Sequence, residues 1–120
     1  MFDFENLIVY EKAKQFNVDV LKLLNRISLE FYVKDQLGRA SLSVMLNIAE
    51  GTGRLTSKDK RHFLVISRGS VYECFALFDM LRGREKISPE LYSVFYSELE
   101  ELSKMLFAMI QKLSTYSNKN

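Results

Sequence analysis

A chain of 120 residues with 48% hydrophobic side chains fits one domain that buries about two-thirds of its unfolded surface, and is too short for several. Its 17 basic and 15 acidic side chains leave a net charge of +2, too small to mark a nucleic-acid binder on overall charge. A single cysteine, Cys74, excludes an internal disulfide and fits a reducing compartment; with no signal-peptide pattern and no apolar run of about 18 residues, a cytoplasmic protein without a membrane partner is expected.

The first amphipathic segment predicts a helix over residues 4–27, with Asp3 as its N-cap and Val9, Ala13, Phe16, Val20, Leu23, Leu24 and Ile27 as its buried stripe. Residues 28–35 show no stripe and are expected to hold the turn, with Asp35 capping a second helix over 35–51. At 100° per residue, Gln36, Ala40, Ser43, Asn47, Glu50 and Arg54 fall in one polar column on that helix. Leu37, Val44 and Ile48 lie beside it. Leu42, Met45, Leu46 and Ala49 carry the apolar surface further round than one core-facing stripe needs, so Leu42, Met45 and Leu46 are expected to meet another copy of the chain.

The pattern restarts after Arg54. Thr56 or Ser57, with Asp59 following, caps a third helix over 57–82 whose inner face holds Phe63, Ile66, Ser67, Ser70, Cys74, Leu77, Phe78 and Leu81. Glycine inside a helix costs about 1 kcal/mol against alanine, so Gly38 and Gly69 are expected to mark a close approach of the second and third helices, with Gly83 as the C-cap of the third. Ser88-Pro89-Glu90 opens a fourth helix over 89–114 with a near-continuous apolar stripe from Leu91 to Leu113. Glu98 falls inside that stripe and should either reach water or pair with a basic residue. The tail from Ser114 is polar and expected to fray. Four such segments with short connections specify an all-α, antiparallel up-and-down four-helix bundle.

The chemistry on offer is sparse. His62 is the lone histidine and has no carboxylate spacing of a bundle metal site, so no metal is expected. Gly51-Thr52-Gly53-Arg54 lacks the spacing and the Lys-Ser/Thr ending of a phosphate-binding loop, and Ser43 and Ser70 have no base at hand. No catalytic residue and no cofactor are assigned. Asn47, Glu50, Arg68 and Glu73 are read as a structural polar network around an Arg–carboxylate pair, the other reading being a functional pocket. The local charge excess lies in residues 33–86, where ten Lys and Arg face six Asp and Glu.

Asn47 to Gly51 (NIAEG), Gly53-Arg54, Lys58, Phe63-Leu64, Arg68 to Ser70 (RGS) and Glu73, in this order and spacing, resemble the four-helix-bundle family first named for proteins encoded by intervening sequences in 23S ribosomal RNA genes. The resemblance runs from FENLIVYEKA at residues 4–13 to KMLFAMI at 104–110. It departs at Gly38-Arg39, where the family often has paired basic residues, and at Leu46, where it often has Pro. What the resemblance implies is a bundle assembled into rings, commonly pentamers, without established enzymatic activity. A related branch comprises accessory proteins of diversity-generating retroelements, which bind nucleic acid beside a reverse transcriptase. The expectation is therefore a non-catalytic homo-oligomeric binding module. Its contact with RNA or DNA would centre on Arg54, Lys58, Lys60 and Arg61, with Arg39 a weaker member. The alternatives are a protein-binding scaffold ring and an enzyme acting on a small molecule.

Overall fold

In the structure, a computed structural model that describes residues 7–119 with side chains through Thr115, four helices run antiparallel in sequence order. They are α1 (Ile8–Leu24), α2 (Phe31–Thr52), α3 (Ser57–Gly83) and α4 (Pro89–Lys119). Each helix packs on its neighbours in the chain, and α4 returns against α1 to close the bundle, that last seam being the slightest of the four. The expected stripes face inward, except that Ile66, assigned to the inner face of α3, is exposed. Val9, Ala13, Phe16, Val20 and Leu23 of α1, Leu37, Val44 and Ile48 of α2, and Leu99, Leu102 and Leu106 of α4 are all buried. Phe16, Phe78 and Phe95 join three helices at the centre, Phe78 stacked on Phe95 at 4.5 Å between ring centroids. Cys74 is a buried core residue, and burial first, then the Glu73 charge, push its thiol up to about 12.

Helix ends differ from expectation where hydrogen bonding outweighs side-chain pattern. Asp3 lies outside the described residues, and α1 begins at Ile8 because Leu7 is extended (φ −83°, ψ 126°). At its other end the helix stops at Leu24. Ile27, expected in the last turn, still packs against the core from the loop. α2 starts at Phe31, before Asp35, with the Val33 and Lys34 N–H groups donating to the Glu30 carbonyl. Val33 is buried and extends the stripe of Leu37 back by one turn, which is the physical reason for the longer helix. Asp35 instead pairs along the helix with Arg39 at 3.0 Å. Thr56 does cap α3, its Oγ1 accepting from the Asp59 N–H at 3.1 Å, and Ser88 caps α4 by accepting from Leu91 N–H at 3.1 Å. α4 continues to Lys119, past the expected end at 114.

At the end of α3, Gly83 is the last helical residue, not the cap. The left-handed position falls on Glu85 (φ 57°), where Lys86 N–H donates to Leu81 carbonyl and Glu85 N–H to Arg82 carbonyl, the paired bonds of a Schellman turn. The expected close approach at Gly38 and Gly69 is also corrected. A Cβ at Gly69 would meet nothing within 4 Å, and one at Gly38 only the tips of Leu24 and Leu21 at 3.9 and 4.0 Å. Close approach occurs at Gly51, where an added Cβ would stand 3.1 Å from Phe63 Cβ and 3.3 Å from the Lys60 carbonyl.

Two buried hydrogen bonds fix the register of the helices. Asn17 Nδ2 donates to Ser41 Oγ across α1–α2 at 2.9 Å, and Ser67 Oγ donates to the Val44 carbonyl across α2–α3 at 2.7 Å. At the end of the bundle away from the α2–α3 loop, Arg84 donates two hydrogen bonds to the Glu30 carboxylate, at 3.0 and 2.9 Å, tying the α1–α2 and α3–α4 connections together. These bonds, with the backbone bond at Glu30 and the Arg84 charge, hold the Glu30 carboxyl at about 2.

Candidate nucleic-acid interface

The tight contact at Gly51 brings the end of α2 against the first turns of α3 and so sets where the basic residues stand. Arg54 folds back on α2, pairing with Glu50 while its guanidinium lies over the Phe63 ring at 4.4 Å. Lys58 and Arg61 are exposed and Lys60 is half-buried. Arg61 Nε donates to Ser114 Oγ of α4 at 2.5 Å, which draws its side chain toward the α3–α4 seam. Lys112 of α4 joins Lys60 at the rim of a cavity of about 450 Å³ floored by Leu64, Met109 and Leu113. Lys112 was not legible as part of this group, because it lies some fifty residues from the others along the chain and reaches them only when α3 and α4 pack.

Arg39 does not belong to the patch. It stands fifteen residues before Arg54, so about 22 Å up the helix axis at 1.5 Å per residue, and its charge is taken up by Asp35. At this end of the bundle Lys58, Lys60, Arg61 and Lys112 form no ion pair among the described residues. They surround the start of α3, where N–H groups and the helix dipole favour an anion.

Asn47, Glu50, Arg68 and Glu73 do not form one network. Asn47 Nδ2 donates to the Ser43 carbonyl and Oγ, at 2.9 and 3.0 Å, and Ser43 Oγ meets Ser70 Oγ of α3 at 2.8 Å. Glu50 belongs to Arg54, and Glu73 accepts from Gln36 Nε2 at 2.6 Å. Arg68 faces the other way. Its Nε donates to the Ser103 carbonyl of α4 at 3.1 Å, and its guanidinium lies over the rings of Tyr72 and Phe107 at 5.0 and 5.1 Å. Positions five apart on a helix stand about 140° apart around its axis, so Arg68 and Glu73 serve opposite seams. The polar column of α2 is thus a seam of small hydrogen-bonded groups against α3, with the Arg–carboxylate pair at its margin.

Of the three apolar side chains assigned to a contact between copies, Leu42 and Leu46 are 42% and 49% exposed, while Met45 is half-buried against the core. Glu98, on the α1 side of α4, is half-buried and has no basic partner among the described residues. It lies beside Asp19, and its Oε2 is buried without a hydrogen-bond partner among the described residues. No group of three or more His, Cys, Asp or Glu placed to hold a metal occurs among the described residues, and none of the described helices is long and apolar enough to cross a membrane.

The sequence profile of the 23S rRNA-intervening sequence proteins matches residues 5–108. The chain belongs to the 23S rRNA-intervening sequence protein family. Its fold is similar to that of a protein of unknown function from the S23 ribosomal protein family of Bacteroides thetaiotaomicron, with a TM-score of 0.81, 25% identity, and coverage of 86% of this chain and 98% of that one. No curated protein matches the chain. The family match takes in Lys58, Lys60 and Arg61 of this 23S rRNA-intervening sequence protein but stops short of Lys112.

Proposed function

We propose that this 23S rRNA-intervening sequence protein is a non-catalytic, homo-oligomeric binding module that contacts the phosphate backbone of RNA or DNA through the first turns of α3. The observation that carries the reading is the division of cations at that end of the bundle. Arg54 is held by an acid one turn away, as the distant Arg39 is, whereas Lys58, Lys60 and Arg61 form no ion pair among the described residues and Lys112 stands with them. Uncompensated cations beside a helix N-terminus suit phosphate, and contacts to phosphate are tolerant of sequence. Arg54 contributes at the edge of the patch, and Arg39 only as a distant, secondary charge.

Assembly would multiply a weak patch into a multivalent surface. Leu42 and Leu46 form the centre of the proposed contact between copies, with Met45 supporting them from beneath. The family resemblance makes a cyclic pentamer the favoured assembly and a reverse transcriptase a candidate protein partner. A protein-binding scaffold ring is the second reading, favoured by the exposed aromatic groove between α3 and α4 that holds Tyr72, Phe75 and Tyr96.

A gel shift with a mixed-sequence RNA and DNA tests the proposal, using the parent and a variant in which Lys58, Lys60 and Arg61 are replaced by Gln. The variant should lose binding while its mass by light scattering stays that of the parent. Equal binding by both proteins would move the interface elsewhere, and no binding by the parent would favour the scaffold.

A further inference from the structure

The carboxyl of Glu98 stands where the apolar stripe of α4 meets α1, and it forms no ion pair among the described residues. One oxygen is buried without a partner among the described residues. The group facing it from α1 is another acid, Asp19, which already accepts a hydrogen bond from Gln15 Nε2 at 2.9 Å. A second acid that acts on it from its own helix, Glu101, pairs with Lys12 of α1 at 2.7 Å. Two facing carboxylates that cannot both ionise cheaply are satisfied by a single proton held between them. We propose that Glu98 and Asp19 share one proton across the α1–α4 seam, and that this proton latches α1 to α4 and releases it in mild alkali.

Asp19 is the acceptor of the pair, because its carboxylate already accepts from the Gln15 amide; Glu98 is the donor. Burial first, and the Asp19 charge second, push the Glu98 carboxyl up to about 7, which puts its titration in the neutral range. The sign follows from linkage. A carboxyl that binds its proton more tightly in the folded state stabilises the fold below its unfolded value of 4.5, and that contribution is lost as pH rises through about 7. The loss falls on the α1–α4 seam, the least extensive of the four.

Hydrogen exchange followed by mass spectrometry on the intact protein tests the latch, comparing α1 amides at about pH 6 and about pH 8 after correction for intrinsic exchange. The opening constant of α1 should rise about tenfold between the two conditions in the parent, the response expected for one proton lost over part of that range. Glu98→Gln, which keeps the shape and donates a hydrogen bond without titrating, should hold the constant level. Asp19→Asn should shift the Glu98 titration downward, read by carbon NMR of the carboxyl. An α1 opening constant that does not change with pH in the parent, or one that changes equally in Glu98→Gln, would overturn the proposal, as would a Glu98 titration unmoved by Asp19→Asn.

Discussion

Gly69 and Glu85 each occupy a position that suits the other's residue type. Gly69 lies in the interior of α3 with nothing within 4 Å of an added Cβ, while Glu85 holds the left-handed φ of 57° at the helix end. Replacing Gly69 with Ala should stabilise the isolated chain by about 1 kcal/mol, the difference in helix propensity. Glu85→Gly should add about 0.5–1 kcal/mol by relieving the left-handed strain. Denaturant unfolding of the two variants checks both values. Should Gly69→Ala instead lower the mass of an assembled species, the open face of α3 is where a second copy lies. Gly51→Ala should behave oppositely and destabilise, because its Cβ would press on the Lys60 carbonyl at 3.3 Å.

At the scale of helices, the same side chains that a linear reading groups together are divided between seams. Arg68 is half-buried against α4 through the Ser103 carbonyl and the Phe107 ring, with Tyr72 of its own helix on the other side, whereas Glu50 is an exposed partner of Arg54. Arg68→Ala should therefore cost about 0.5–1.5 kcal/mol through one lost hydrogen bond, with some further loss of packing. Glu50→Ala should cost under about 1 kcal/mol, as exposed pairs do. The double variant should show the sum of the two, since no partner is shared. A thermal-melt cycle with a clear coupling between them would restore the single network.

The pair that links the two connections at the far end of the bundle titrates in acid. Glu30 is held at about 2 against an ordinary 4.5, chiefly by its hydrogen bonds from Arg84, so its contribution is present above 4.5 and is lost as pH falls toward 2. The stability gap between the parent and Arg84→Gln should be level above 4.5 and should close between 4.5 and 2. Urea midpoints measured across that range read the gap directly, and a gap independent of pH would place the Arg84 contribution in packing.

The molecule as a whole was legible in its stripes. Val9 to Leu24, Leu37 to Ile48 and Leu91 to Leu113 recur at helical spacing, and these residues turn inward in the bundle apart from Val94, which is exposed. The start of α2 was not legible, since Phe31, Tyr32 and Val33 are three hydrophobic residues in a row, and only burial against the core shows that Val33 alone of them turns inward. Asn17 and Ser41 carried a weak signal, as polar residues inside apolar stripes, but their pairing depends on how α1 and α2 dock. In the candidate interface the cations could be named from the sequence, yet which of them is neutralised could not. That depends on helical angle and on the approach of α4, which sets Arg39 and Arg54 apart from Lys58, Lys60, Arg61 and Lys112.

The most direct measurement of the central claim is the salt dependence of nucleic-acid affinity for the parent protein, followed by fluorescence anisotropy with a labelled mixed-sequence RNA. If phosphate is the group recognised, the logarithm of the affinity falls linearly with the logarithm of salt concentration, and the slope becomes shallower by about one for each of Lys58, Lys60 and Arg61 replaced by Gln. Absence of salt-sensitive binding in about 50 mM salt, where phosphate contacts are strong, would contradict the account.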